Sequence, residues 1–202
     1  MITTVKEEVM EFKLHRKESL IITAIDIIDE IGIQGLSTRE IAKREGVSEA
    51  TLFRHYSNKK ELLRAVLNYS CKFDNDIFES TRVMQLQPRE SIRFFVASSV
   101  EYYENYPAIT SIMQMFDIIR YEPELEEKVK EILNNRIDFI KLMLEEAKEE
   151  GELNKNINSE NLADLISGLC REICLKWRIN GRDFSLKERT LETLDMVLNS
   201  IF

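Results

Sequence analysis

Residues 35–63 read GLSTREIAKREGVSEATLFRHYSNKKELL, and the fold turns on how this stretch is parsed. Ser37 is followed three residues later by Glu40, a capping box that predicts a helix over 38–45. Gly46 stands where a left-handed residue ends such a helix. Ser48 then predicts a helix over 49–56, and Ser57 a longer one from Asn58 to about Phe78, with Leu62, Leu63, Val66 and Leu67 on one face. Upstream, from Lys13 to Ile31, the residues Leu20, Ala24, Ile27 or Ile28, and Ile31 recur at helical spacing until Gly32 stops the pattern. A packing helix, a short capped helix, a Gly-containing turn and a second short helix make a helix-turn-helix unit, with Ile41, Ala42, Val47 and Leu52 as its small core. The same caps occur at any helical corner, so spacing alone leaves both readings open.

Charge favours the first. Between Leu36 and Arg64 seven basic residues (Arg39, Lys43, Arg44, Arg54, Lys59, Lys60, Arg64) face four acidic ones, a local +3 on a chain whose net charge is -8. A basic segment on an acidic protein is the footprint expected of a phosphate-binding face. Only 6 Gly and 3 Pro punctuate the 202 residues, too few for the turns of a sandwich or barrel, so the expected fold class is all-α. Apolar runs are short and broken by charge, which argues against a membrane span, and residues 1–11 carry three glutamates and no apolar block, unlike a secretory leader. Whether residues 1–12 extend the first helix or form a loose arm stays open. Three cysteines (Cys71, Cys170, Cys174) fit a reducing cytoplasm, and Cys170 and Cys174, one helical turn apart, read as small buried apolar residues. Two histidines, His15 and His55, with no CxxC pair give no basis for a structural metal, and no cofactor is expected. No GxxxxGK[ST], GxGxxG, GxSxG or HExxH motif occurs, although a carboxylate-pair enzyme is not excluded by 36 acidic residues.

The pattern Thr38-x-x-Ile41-Ala42-x-x-x-Gly46-Val47-Ser48-x-x-Thr51-Leu52-Phe53-x-His55-Tyr56-x-x-Lys59-x-x-Leu62 resembles the DNA-binding region of TetR-family transcriptional regulators. The resemblance implies an N-terminal three-helix DNA-binding domain (residues 1–57) and a helical effector-binding and dimerisation domain (58–202), linked by the helix from about 58 to 78. It implies that Thr38 and Arg39 touch phosphate, and that Ser48, Glu49, Ala50 and Thr51 open the recognition helix in the major groove. Glu49 would accept from a cytosine amino group and Ala50 would pack on a thymine methyl. His55 and Lys59 fall at phosphate-contacting positions. Phe53 stands where the family often has tyrosine, which removes one hydroxyl from that set, and Arg54 replaces a commoner aromatic. Tyr56 matches an aromatic that packs inward.

Beyond this region, Pro88 predicts a helix to about Tyr106, Pro107 another start, and Pro123 a long helix to about Glu150; two further helices follow, from Asn158 or Ser159 to about Asn180 and from Ser185 to Phe202. The last two are striped by Leu162, Leu165, Leu169 and Leu191, Leu194, Leu198, faces that either close inside the domain or meet a second copy. The resemblance implies the latter, a homodimer fitting a palindromic operator. In the middle helices, Phe95, Tyr102, Tyr103, Met113, Phe116, Phe139, Met143 and Trp177 read first as core and second as a pocket lining; the resemblance implies an effector pocket, and the scarcity of charge in this set points to a small apolar or amphipathic ligand. The expectation is a repressor that an effector releases from double-stranded DNA. The rival is a helical protein-interaction adaptor that leaves the basic segment unexplained.

Overall fold

The computed structural model describes residues 2–202, with side chains from Arg16 onward, so Met1 and the side chains of residues 2–15, His15 included, lie outside it. The described residues form helices without strands: α1 (Ile2–Gly35), α2 (Thr38–Arg44), α3 (Glu49–Phe53), α4 (Lys59–Ser70), α5 (Asp74–Val83), α6 (Pro88–Asn105), a 3-10 turn (Pro107–Ile109), α7 (Thr110–Gln114), α8 (Phe116–Ile119), α9 (Pro123–Glu149), α10 (Ser159–Ile179) and α11 (Leu186–Ile201). None of the described helices is long and apolar enough to cross a membrane. Their contacts separate two compact units, residues 1–70 with 108–129, and residues 71–107 with 130–202.

In the first unit α1 packs on α2, α4 and α7. Leu20, Ala24, Ile25, Ile27 and Ile28 are all buried, a wider stripe than the spacing predicts, because α1 has neighbours on more than one side. Ile31, expected in that stripe, is exposed: it sits on the last turn before Gly32, whose backbone (φ 75°, ψ 172°) breaks the helix. Ile41, Ala42 and Leu52 are buried between the short helices, while Val47 is half-buried.

The helix expected over 58–78 is two helices. α4 ends at Ser70, residues 71–73 turn, and α5 starts at Asp74. No Gly or Pro marks the break. It is made by tertiary contacts: the Phe73 ring meets Tyr102 edge-on at 5.1 Å, and Asp74 is held by Arg136. The cap of α4 is also shifted by one residue, since the Asn58 side chain accepts from the Glu61 amide (2.9 Å) while Glu61 reaches back to the Ser57 amide and hydroxyl.

In the second unit α6 packs on α5 and α11, and α10 packs on α11. Arg93 bridges α6 to Asp195 on α11 at 2.9 Å, and Lys187 reaches Glu101 at 2.7 Å. Asn158 and Ser185 cap α10 and α11 as expected, through the amides of Asn161 and Glu188.

Candidate nucleic-acid interface

The interface is built by two caps and one turn. The Ser37 side chain accepts from the Glu40 amide (3.1 Å) and fixes the start of α2; the Ser48 side chain accepts from the Thr51 amide (3.2 Å) and fixes the start of α3. Between them Gly46 takes φ 65°, a conformation that a side chain would strain, and so reverses the chain in the few residues available. The α2–α3 corner then leaves Arg39, Ser48, Glu49, Ala50, Phe53, Arg54 and Lys59 exposed, with Thr38, Thr51 and His55 half-buried beside them. All ten positions expected to meet DNA therefore reach the surface.

These side chains hold one another. Thr38 donates to Glu49 (2.7 Å), Ser48 and Thr51 share a hydroxyl contact (3.1 Å), and Arg54 donates to the Thr51 hydroxyl (2.9 Å). The Glu49 carboxylate expected to read a cytosine amino group already accepts from Thr38 through Oε2, which leaves Oε1 for a base contact. Tyr56 is buried, and its hydroxyl donates to the Lys17 carbonyl (3.2 Å), tying the end of the corner to α1. Burial pushes the Tyr56 hydroxyl up to about 12, which keeps it a donor.

Two further sets of contacts fix α2 and α4 within this unit. Glu45, at the end of α2, accepts from Thr23 (2.5 Å), Ser19 (2.7 Å) and Arg16 (3.3 Å) on α1. Burial raises its pKa, but these donors outweigh burial and hold the carboxyl below its ordinary value. On α4, Lys60 pairs with Glu122 (3.1 Å) and Arg64 donates to the Glu124 carbonyl (2.8 Å).

The residues expected to line an effector pocket divide between the units. Met113 and Phe116 belong to the first. In the second, Phe95 and Phe139 join Phe78, with ring centroids 4.3 to 5.4 Å apart. Tyr102 and Tyr103 lie further along α6, and Met143 and Trp177 are buried. An open groove of about 380 Å³ lies against this cluster, lined by Asn75, Phe78, Arg82, Asn135, Phe139 and Leu142 among others. Sequence reasoning missed the charged pair beside it: Arg136 makes a two-pronged bridge to Asp74 (2.6 and 3.1 Å) and donates to the Tyr103 hydroxyl (3.0 Å). Nothing in the sequence distinguishes Arg136 from the other charges of α9.

Of the expected dimer residues, Leu162, Leu194 and Leu198 are buried within the chain itself; Leu165 is exposed, and Leu169 and Leu191 are half-buried. Cys174 is buried, and burial pushes the Cys170 thiol up to about 12, leaving it a poor nucleophile. Among the described residues no group of His, Cys, Asp or Glu is arranged to hold a metal ion.

Comparison with known proteins covers nearly the whole chain. The family model of bacterial regulatory proteins, tetR family, matches residues 20–66, and that of the YsiA-like protein, C-terminal region, matches residues 72–200. The fatty acid metabolism regulator protein of Bacillus subtilis (strain 168) is 20% identical over 197 residues, 95% of this chain and 98% of its own. Among solved structures, FadR from Bacillus subtilis in complex with stearoyl-CoA superposes with a TM-score of 0.80 at 19% identity, over 92% of this chain and 99% of that one. Thermus thermophilus FadR in complex with lauroyl-CoA gives a TM-score of 0.61 at 23% identity, over 90% and 92%.

Proposed function

From the fact that this chain is a member of the TetR family of transcriptional regulators, we propose that it is a homodimeric repressor released from a palindromic operator by an acyl-chain amphiphile. The observation that carries the DNA half is the α2–α3 corner, where polar and basic side chains from Thr38 to Lys59 share one surface on an acidic protein. In this reading Ser48, Glu49, Ala50 and Thr51 enter the major groove, and Thr38, Arg39, His55 and Lys59 meet phosphates. Arg54, tethered to Thr51, is set to reach a base edge or a phosphate, and exposed Phe53 packs against the backbone sugars.

For the effector half, the support is the aromatic cluster with its adjoining groove, together with two structural relatives whose complexes hold acyl-CoA thioesters. The effector would favour a form in which the two recognition helices are misplaced for successive major grooves; a coupling of roughly 1–3 kcal/mol weakens operator binding about 5- to 150-fold. Dimerisation through α10 and α11 would cover Leu165, Leu169 and Leu191, together with Met196, exposed on the same pair of helices. The adaptor reading leaves the corner without a purpose, and no catalytic role is proposed.

The test is selection of genomic fragments by the purified protein, followed by addition of lauroyl-CoA to the bound fragments. An enriched palindrome released by lauroyl-CoA is the expected result. Enrichment without release would remove the acyl effector, and no enrichment would remove the regulator reading of this corner.

A further inference from the structure

The second unit holds an ion pair in an unusual place. Arg136 and Asp74 keep only 15% and 12% of their side chains exposed, and Tyr103, whose hydroxyl also accepts from Arg136, is buried. Burial opposes the Arg136 charge, yet Tyr103 and Asp74 hold its pKa above the ordinary value, so the guanidinium stays cationic. Taking two charges from water gains little stability over an apolar pair of the same volume, so packing alone gives no reason for it.

Its position relative to the aromatic cluster supplies one. Asp74 and Phe78 are one turn apart on α5, and Arg136 and Phe139 nearly one turn apart on α9. Phe78 and Phe139 stack with centroids 4.3 Å apart and also line the groove. The same two helices therefore present a buried cation and, one turn further, the stacked rings of Phe78 and Phe139 at the edge of an open groove of about 380 Å³, whose other lining residues are Asn75, Glu79, Arg82, Asn135, Asp138 and Leu142; the volume is within the roughly 300–1,000 Å³ typical of small-molecule sites.

We propose that Arg136 is the receptor for the anionic head group of the effector, and that Asp74 is a resident counter-ion which that head group displaces. The apolar chain of the ligand lies along Phe78 and Phe139. A second anion at a guanidinium already bridged by a carboxylate is repelled at close range, so ligand binding and the Asp74 bridge exclude each other. Asp74 is the first residue of α5, directly after the turn that ends α4. Its displacement unties that first turn from α9, and this gives the effector a differential contact with two forms of the chain, which any population shift requires. The proposal deepens the acyl-effector reading and rests on it for the ligand class.

The experiment measures binding of lauroyl-CoA and of dodecyl phosphate, by calorimetry and thermal shift, to the full chain and to two variants. Asp74→Asn keeps the shape and removes the rival charge; both probes should bind about tenfold more tightly and raise its melting temperature more than that of the unaltered chain. Asp74→Asn combined with Arg136→Gln removes both charges, avoiding an unpaired buried ion, and should bind both probes about tenfold more weakly than the unaltered chain. Weaker or unchanged binding by the single variant, or full binding by the double one, would overturn the exchange. If lauroyl-CoA binds regardless of Arg136, the exchange fails and the acyl reading survives. If dodecyl phosphate alone binds through Arg136, the exchange stands and the acyl-CoA reading fails. If neither probe binds the unaltered chain, both are overturned.

Discussion

The α2–α3 corner and the α5–α6–α9 cluster use polar residues in opposite ways. In the corner the bonds are short-range, Ser37 to Glu40, Ser48 to Thr51 and Thr51 to Arg54, and their side chains are at the surface. In the cluster the decisive bond joins Asp74 to Arg136, residues 62 apart in sequence, and both are largely withdrawn from water. Surface polar groups arranged by local caps can exchange partners with water or a ligand at little cost to the fold. Buried ones carry a desolvation penalty, so their rearrangement has consequences for structure.

That contrast predicts a ranking of effects. The largest belongs to the cluster: Arg136→Met leaves the Asp74 charge buried and unpaired, and should destabilise the second unit by about 3–5 kcal/mol in a denaturant melt. Asp74→Asn combined with Arg136→Met should recover most of that loss. An equal loss in the double variant would show that the bridge does more than neutralise a charge.

Next comes DNA recognition. Thr51→Ala removes the hydroxyl that accepts from Arg54 and contacts Ser48, and operator affinity should fall by about 1–3 kcal/mol with little change in melting. A large melting change would blur the comparison, since it would make the corner structural as well. Ser48→Ala, which removes the α3 cap, should cost about 1 kcal/mol of stability together with some DNA affinity.

The smallest effect is a pH dependence. Glu45 has a folded pKa below the ordinary 4.5, so its contribution is present above that value and is lost as pH falls below it. Glu45→Gln should therefore lower the melting temperature at neutral pH, where the contribution is present, and flatten the acid limb below about pH 4.5, so that the two chains converge in acid; an unaltered acid limb would mean that the three donors on α1 contribute nothing measurable.

What the sequence made legible follows the same division. Caps and helix starts at Ser37, Ser48, Pro88, Pro123, Asn158 and Ser185 are written in neighbouring residues, and they fall where expected. The break at 71–73 is not, because its residues are compatible with a continuous helix, and the contacts that accompany it come from Tyr102 and Arg136, 29 and 62 positions from Phe73 and Asp74. The exposure of the positions expected to meet DNA could be anticipated from the motif, whereas the Thr38 hold on Glu49 depends on how two helices cross. Likewise, Leu162, Leu194 and Leu198 share a stripe with Leu165 and Leu169, and periodicity does not say which part of a wide stripe is used inside the chain.

The most direct measurement for the central claim is the salt dependence of binding to the selected palindrome, by fluorescence anisotropy, for the unaltered chain and for Lys59→Ala. A protein that neutralises phosphates with this corner gives a steep log–log slope of about -0.9 per phosphate contact, and the variant lowers its magnitude by about one contact. A shallow slope that Lys59→Ala leaves unchanged would contradict the assignment of this corner as the DNA-binding surface.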